Sequence, residues 1–282
     1  AYYNMGSALY QNKQYKEAKI LFDHTDIKDA VAMSLECSYF LEDYDAFSHA
    51  LDSLIENDLT NIRAAAISAF YSHQLQRKDI YPFCKGAIEL ISIGHIKNHV
   101  CDAETVISGI LNEANLKYSI WEPSGQTTKS GFQTSGNIFS NSDKSIELLE
   151  NIIEKEIDLY KSKYKAHESI LIQNWPTKFN IRGWYVRMIR NGHQDSHMHP
   201  TGWVSGVVYL KTISEPIQGE GAIEFSLHGY DYPLKRKNYP RRRHQPSNGE
   251  IILFPSSLFH RTISVIQDVE RCVIAFDLIP IR

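Results

Sequence analysis

Residues 183–210 read GWYVRMIRNGHQDSHMHPTGWVSGVVYL, and this stretch decides how the rest of the chain is interpreted. His193, Asp195, His197 and His199 stand at every second position in it, between two runs typical of β-strands. Extended backbone points every second side chain to the same face, with a rise of about 3.3 Å per residue. We therefore expect these four side chains on one face, spaced so that one metal ion reaches two neighbours. His197 belongs to two of the three neighbouring pairs and is the first candidate ligand.

The chain beyond residue 170 has the pattern of a β-rich domain. Strand-like runs span residues 184–189, 202–210, 222–225, 250–254 and 272–278. Turn residues separate them, with tight-turn signals at Asn191-Gly192 and Asn248-Gly249. Several short strands with histidines at their ends predict a double-stranded β-helix, a jelly roll of the cupin-like kind.

Two segments precede these strands. Residues 121–142 are rich in small polar residues and predict a boundary, not an element with its own core. Within it, residues 133–139 either dock Ile138 and Phe139 as part of a linker or line an active site. A long helix is expected from residue 143 to about residue 163, capped by Ser142, because apolar residues recur there at steps of three and four.

The first hundred residues predict helices and resemble degenerate tetratricopeptide repeats (TPR). Gly6 and Ala18 take the small-residue positions of the first repeat, and Phe22 takes its apolar position. Residues 44–47 and 79–83 match the second helices of two later repeats. Such a region forms either a concave partner-binding surface or a helical cap on the next domain. The predicted fold class is α+β: a TPR-like all-α region at residues 1–115, then a jelly-roll domain at residues 116–282 with a flanking long helix.

The composition is that of a globular protein, with 43% hydrophobic and 22% charged residues among 282. A net charge of -3 gives no reason to expect nucleic acid or an anionic membrane as a partner. No apolar run approaches the roughly 18 residues of a membrane span. The four cysteines show no ligand spacing and fit reduced thiols. No signal peptide is visible, and we expect a cytoplasmic protein, although the sequence begins with Ala1 and not with methionine.

A second part of the metal constellation follows the run at residues 250–254, which ends at Pro255. His260 comes shortly afterwards, and Arg271 opens the next strand-like run. Two close histidines, a distant third and an arginine suit a non-heme Fe(II) centre that binds a keto acid, because three protein ligands leave three positions open. Arginine would receive the far carboxylate as a planar, permanently charged donor.

This set of motifs resembles the bacterial 2-oxoglutarate–Fe(II) oxygenases that are associated with tetratricopeptide repeats, over roughly residues 121–280. The motifs are Gln133-Thr134-x-Gly136-x-Ile138-Phe139, Trp184-Tyr185-Val186-Arg187, His197-x-His199-Pro200-x-Gly202-Trp203-x-Ser205, Gly249-x-Ile251-x-Leu253-Phe254-Pro255-Ser256, and His260 with Arg271. The resemblance implies that His197, His199 and His260 bind Fe(II) at the catalytic centre. It also implies that Arg271 anchors 2-oxoglutarate, and that the enzyme uses O2 to hydroxylate a substrate while releasing succinate and CO2.

Tyr209 and Arg187 are further candidates for the cosubstrate site. Tyr209 shares a predicted strand face with Ser205 and Val207, from which its hydroxyl could reach 2-oxoglutarate. Arg187 lies on the strand before the ligand motif and could contact the cosubstrate or the substrate.

The ligand motif reads His-x-His, whereas most oxygenases of this class use His-x-Asp with a distal histidine. A neutral histidine in place of the carboxylate leaves the Fe(II) centre one unit more positive. Two other ligand pairs stay open, namely His193 with Asp195 and Asp195 with His197, so the third ligand is either His199 or Asp195. Asp195 could instead orient a ligand histidine without touching the metal.

Two other functions stay open beside the oxygenase. A cupin-like metalloenzyme that does not use 2-oxoglutarate would need three histidines but not Arg271. A TPR interaction protein with an inactive barrel would bind no metal. The substrate is open as well: the repeats suggest a peptide or protein. A basic loop at residues 235–237 and 241–244 is most simply solvated, or it guides a small acidic or phosphorylated molecule.

Overall fold

A computed structural model describes residues 1–140 and 142–281 of the chain. The helices in these residues are α1 (Tyr2–Gln11), α2 (Tyr15–Phe22), α3 (Lys28–Phe40), α4 (Tyr44–Asn57), α5 (Ile62–Gln74), α6 (Ala103–Asn115), α7 (Lys144–Lys163) and α8 (Ile170–Gln173). The strands are β1 (Ser92–His95), β2 (Ser119–Trp121), β3 (Thr128–Thr134), β4 (Phe179–His197), β5 (Val204–Lys211), β6 (Ile223–Ser226), β7 (Arg241–His244), β8 (Glu250–Pro255), β9 (Phe259–Thr262) and β10 (Arg271–Pro280). The predicted combination of N-terminal helices and a C-terminal sheet is confirmed.

The strands form a curled antiparallel sheet in the order β1-β8-β5-β10-β4-β9-β6-β7, with β3 and β2 added beside β4. The first part of β4 pairs with β10, and its last residues pair with β9. β4 therefore joins two halves, β8-β5-β10-β4 and β4-β9-β6-β7. Side chains from both halves line one internal cavity, which is the arrangement of the predicted jelly roll.

A β-bulge lets β4 pass from one half of the sheet to the other. Asn191 has a φ of 69°, and a Cβ atom on Gly192 would lie 2.6 Å from the carbonyl oxygen of Ile189. Asparagine tolerates positive φ, and glycine permits the close backbone approach. The predicted tight turn at Asn191-Gly192 is therefore wrong, because β4 continues through it. The second signal, Asn248-Gly249, does lie in the turn that leads into β8.

The long helix is confirmed as α7, with Asp143 instead of Ser142 at the N-cap position. Glu113 of α6 holds its first turn, since the carboxylate accepts hydrogen bonds from the backbone N–H groups of Ser145 and Ile146, each at 3.0 Å. The apolar stripe of α7 is buried and packs against α6 and β8. This helix covers the outside of the sheet and leaves the inside of the barrel free for chemistry.

Helices α1 to α5 pack against one another at the N-terminal end. Gly6 permits the close approach of α1 and α2, because a Cβ atom there would lie 2.7 Å from the ring of Phe22, which is fully buried. Gly6 therefore occupies a position that requires a small residue, as predicted. Residues 79–83 are not helical, so the helix predicted there is wrong. The repeat character of the region stays a prediction.

One hydrophobic core extends from α3 and α5 through the barrel, and a smaller one lies under α1 and α2. β1 precedes residue 115 but pairs with β8, so the sheet receives a strand from the N-terminal side of the predicted division. Residues 121–142 also contribute a folded element, β3, where we expected only a boundary. Within the described residues, no helix combines the length and the apolar character needed to cross a membrane.

Candidate metal centre and cosubstrate cavity

Three histidines meet at the mouth of the barrel. His197 ends β4, His260 lies opposite it on β9, and His199 follows two residues later in the chain. One ligand nitrogen of each lies within 4.8 Å of the others, and no other such cluster of histidine, cysteine or carboxylate groups occurs in the described residues. Small side-chain adjustments would bring all three nitrogens onto one metal ion.

Hydrogen bonds fix the orientation of two of these rings. The Nδ1 atom of His197 lies 2.6 Å from the carbonyl oxygen of Asp195, and the Nδ1 atom of His260 lies 3.2 Å from that of Leu258. A carbonyl oxygen only accepts hydrogen bonds, so the proton of each neutral ring belongs on Nδ1. The Nε2 atom then carries the lone pair that a metal requires.

Burial also keeps both rings neutral. Desolvation, followed by the neighbouring His199 ring, lowers the pKa of His197 to about 3. Desolvation and the other two rings lower the pKa of His260 well below its usual 6.5. Neutral imidazole is the form that binds a metal, so the site is ready for a cation at neutral pH.

We expect the metal-free protein to lose stability as the pH falls from about 6.5 towards 3. In this range the unfolded chain binds protons at His197 and His260 while the folded chain does not, so the free energy of unfolding rises with pH. Urea unfolding over a pH series measures this. His197→Gln should flatten the dependence, and His193→Gln, at an exposed position, should not. The same slope in all three proteins would contradict the assignment.

A second β-bulge in β4 determines which residues of the histidine-rich segment face the cavity. The pairing of β4 with β9 changes register between Gln194 and His197, and these two side chains face inward. His193 and Asp195 point outward, with side chains 37% and 61% exposed. The expectation of four side chains on one face is therefore wrong. The alternative pair of His193 and Asp195 lies on the outer face, with 3.6 Å between Nε2 and Oδ1, and neither residue belongs to the histidine cluster. Asp195 orients His197 through its backbone carbonyl and not through its carboxylate.

A buried carboxylate that was not among the predicted site residues holds the third ring. The Nδ1 atom of His199 lies 2.5 Å from Oδ1 of Asp277, and the Ser205 hydroxyl donates to the same oxygen at 2.6 Å. Ser205 and Asp277 are paired across β5 and β10, so the strand register sets this contact. The signal was present: Asp277 lies six residues after Arg271 on one strand, and an even spacing places both side chains on the same face.

Arg271 lies in the inner cavity together with the three histidines. It is 2% exposed; its Nε atom donates to the carbonyl of Gly221 at 3.0 Å, and its guanidinium lies 5.1 Å from the ring centre of Tyr209. Burial lowers the pKa of Arg271, although an arginine keeps its charge. No carboxylate of the described residues forms a salt bridge with it. A buried charge without a counter-charge is costly, so this position favours an anionic ligand.

The Tyr209 hydroxyl lies beside this arginine. It is buried without a hydrogen-bond partner in the described part of the chain, and burial raises its pKa to about 12. A neutral hydroxyl in such a position is available to donate to an anion. The inner cavity is narrow, with a free volume of about 10 Å³ between walls that include Trp184, Val207 and Phe254. A keto acid would enter only if these side chains moved outward.

Arg187 is not brought to this cavity. Its guanidinium pairs with Glu270 at 3.2 Å and stacks over the ring of Phe132 at 4.6 Å. The next residue, Met188, faces inward, and its sulfur contacts Arg271. Because adjacent strand residues point to opposite faces, Arg187 lies on the outer face of β4.

A wider cleft of about 1000 Å³ opens in front of the histidines. Residues 133–136 form part of its barrel side, and Ile138 and Phe139 are buried beneath. The loop therefore both docks its two apolar residues and lines the cleft, which were the two alternatives predicted for it. The opposite wall comes from the helices, including Tyr3 and Tyr10 of α1 and Arg63 of α5. The helical region is therefore part of the site.

Residues 182–277 match the model of a family described as "Putative 2OG-Fe(II) oxygenase". This segment contains the three histidines, Tyr209 and Arg271. A comparison with curated proteins finds no match.

Among solved structures, the chain is similar to a prolyl-4-hydroxylase from Pseudomonas putida, at 11% identity and a TM-score of 0.48, covering 68% of this chain and 93% of that one. It is also similar to the viral collagen prolyl hydroxylase vCPH from Paramecium Bursaria Chlorella virus-1, solved as a 2-oxoglutarate complex, at 15% identity and a TM-score of 0.44, covering 71% and 99%. HygX from Streptomyces hygroscopicus, with nickel and 2-oxoglutarate bound, gives 12% identity and a TM-score of 0.44, covering 70% and 87%.

The family match and the histidine triad together define the barrel as a 2-oxoglutarate–Fe(II) oxygenase. Enzymes of this class are Fe(II)-dependent dioxygenases that use 2-oxoglutarate and O2 as cosubstrates.

Proposed function

We propose that the protein is an Fe(II)/2-oxoglutarate-dependent hydroxylase in which His197, His199 and His260 bind the iron and Arg271 anchors the cosubstrate. The observation that carries this proposal is a buried arginine, with no counter-charge among the described residues, in the same cavity as three imidazoles held through their Nδ1 atoms. The donor set fits a divalent cation and the arginine fits a carboxylate. Bound Fe(II) would supply the oxidising chemistry, with O2 as oxidant and 2-oxoglutarate as reductant.

The residues of the barrel bind and orient the cosubstrate. Arg271 would hold the far carboxylate of 2-oxoglutarate through its guanidinium, and Tyr209 would add a hydrogen bond from its hydroxyl. The apolar side chains of Val207, Phe254 and Ala275 would exclude water from the space between arginine and metal. Oriented binding would keep the keto-acid end of the molecule at the histidines.

An anaerobic titration of the metal-free protein with Fe(II) and then 2-oxoglutarate tests the proposal. We expect a weak visible charge-transfer band that needs both additions, and aerobic incubation should then release succinate and CO2. Bound iron without the band would favour the cupin-like metalloenzyme, which has no need of Arg271. No bound metal at all would favour the interaction protein with an inactive barrel.

A peptide segment is the substrate class that we propose. A cleft of about 1000 Å³ with walls from both the helices and the barrel exceeds what a small acid requires. Its charged side chains balance, with three basic and three acidic groups: Lys13, Arg63 and Arg182 against Asp29, Asp231 and Asp277. A cleft without net charge gives no preference for an acidic ligand.

The basic loop does not contribute to this cleft. The side chain of Gln74 in α5 binds the backbone of Lys235 and Arg236, and Glu42 pairs with Lys235 at 2.7 Å. Arg243 of β7 pairs with Glu224. These contacts support a structural role for the loop and weaken the case for a small acidic or phosphorylated substrate.

The helical wall suggests a role for residues 1–115. We propose that this TPR-like unit serves the oxygenase unit at residues 116–282 by holding the substrate segment against the barrel mouth. Tyr10 lines the cleft, and its hydroxyl is buried without a partner among the described residues. Screening peptides and small acids for stimulated succinate release tests the substrate class. Stimulation by small acids alone would reject the peptide.

The compartment that we propose is the cytoplasm. All four cysteines are free thiols, and Cys37, Cys84 and Cys272 are buried. Buried free thiols agree with a reducing compartment.

A further inference from the structure

We infer that Asp277 is a positioning residue for the iron ligand His199. A His-x-Asp motif places a negative charge directly on the metal, whereas Asp277 places that charge one hydrogen bond behind the ligand histidine. The inference rests on the proposed function, because it takes His199 as a ligand. Asp277 lies on β10, far from the histidines in sequence, and it belongs to none of the motifs that carry the family resemblance.

Asp277 is buried, and its carboxylate is positioned to hydrogen-bond with the imidazole of His199. The residue is 6% exposed, and Oδ1 lies 2.5 Å from Nδ1 of His199. The Ser205 hydroxyl donates to the same oxygen at 2.6 Å and lies 2.8 Å from the Ser256 hydroxyl. The carboxylate is therefore fixed by its own hydrogen bond, and the ring of His199 is fixed by the carboxylate.

Asp277 has no lysine or arginine partner in the described residues; its only ion-pair contact is with His199. A buried carboxylate without a lysine or arginine beside it is costly, and its hydrogen bonds with His199 and Ser205 offset only part of that cost. A divalent ion on the far nitrogen of His199 would supply the missing positive charge through the ring. The negative charge of the carboxylate and the positive charge of the metal would then offset each other through the imidazole between them.

The position of this carboxylate is specific within the triad. Backbone carbonyls hold His197 and His260, and only His199 is held by a charged group. His199 is also the residue that stands where a His-x-Asp motif would have its aspartate. The carboxylate is thus absent from the ligand position and present directly behind it.

One face of β10 serves both ends of the site. Arg271, Val273 and Ala275 line the inner cavity, and Asp277 lies at the cleft beyond the histidines. These residues alternate along the strand, so Arg271 and Asp277 are separated by about 20 Å at a rise of roughly 3.3 Å per residue. The strand therefore presents a buried cation for the cosubstrate and a buried anion for the metal ligand.

Titration of the metal-free protein with Co(II), followed through its visible d–d bands, tests the inference. Asp277→Asn keeps the size of the side chain and an acceptor oxygen but removes the charge. We expect it to weaken Co(II) binding by about 10- to 100-fold, the usual effect of losing a partner behind a metal ligand. The matched control is Ser256→Ala, which removes a hydroxyl of the same network without touching His199, and it should bind Co(II) as the wild type does. Wild-type affinity in Asp277→Asn would overturn the inference.

A second measurement uses only the wild-type protein and does not depend on whether a variant folds. In the ¹⁵N imidazole spectrum of the Zn(II)-bound wild type, we expect His199 to carry its proton on Nδ1 and the metal on Nε2. The reverse arrangement would overturn the inference even if the triad binds the metal. If the wild type binds neither Co(II) nor Zn(II) at the triad, the proposed function itself fails and the inference with it.

Discussion

Replacing His260 with alanine should abolish metal binding at the triad and lower 2-oxoglutarate turnover by more than about 100-fold. Losing a partner behind a metal ligand already costs about 10- to 100-fold, so the loss of a ligand should exceed that range. The His260 ring lies among Phe254, Phe225 and the two other histidines, and no other donor of the described residues completes the cluster. Co(II) titration and succinate release measure the two effects.

The matched control for this variant is His193→Ala. His193 lies in the same histidine-rich segment as His197, but its side chain is 37% exposed and points away from the cavity. We expect it to keep wild-type metal affinity and turnover. If His193→Ala loses the metal while His260→Ala keeps it, the assignment of the inward and outward faces of β4 is wrong.

The segment around His197 shows how far the sequence determines the site. Period-two spacing placed His197 among candidate ligands, and the family motifs selected His199 and His260. The same spacing predicted that His193 and Asp195 would lie on the same face as His197. This prediction is wrong because a bulge shifts the register before His197. A bulge adds a residue without an obligatory residue type, so alternation alone does not reveal it.

The helical wall of the cleft was the part least accessible to sequence. Helix periodicity and the small-residue position of Gly6 were predictable, since they depend on neighbouring segments. That Tyr10 and Arg63 would face the histidines depends on how the N-terminal helices pack on the barrel, through contacts such as that of Tyr232 with Glu36 of α3. Such contacts join residues far apart in the chain, and no local pattern encodes them. Asp277 differs, because its place on the face of Arg271 was readable.

Replacing Arg271 with methionine should weaken 2-oxoglutarate binding by roughly 30-fold or more, while metal binding at the histidines persists. Removing one partner of a buried hydrogen-bonded charge pair costs about 2–5 kcal/mol, which corresponds to that range. The matched control is Arg187→Met on the outer face of β4, where the partner Glu270 is 40% exposed and the pair is worth little. The KM for 2-oxoglutarate in uncoupled turnover measures both variants, and an unchanged value for Arg271→Met would show that Arg271 does not anchor the cosubstrate.

Although Arg271→Met should weaken 2-oxoglutarate binding, it should not lower the stability of the ligand-free protein. Arg271 is a fully buried charge with no carboxylate beside it in the described structure, and methionine fills a similar space without that cost. We therefore expect Arg271→Met to unfold at the same temperature as the wild type or higher when 2-oxoglutarate is absent. With Mn(II) present throughout, added 2-oxoglutarate should raise the unfolding temperature of the wild type and not of the variant, because a ligand stabilises in proportion to its binding of the folded state. A variant that is less stable and still responds to 2-oxoglutarate would show that Arg271 supports the barrel and does not anchor the cosubstrate.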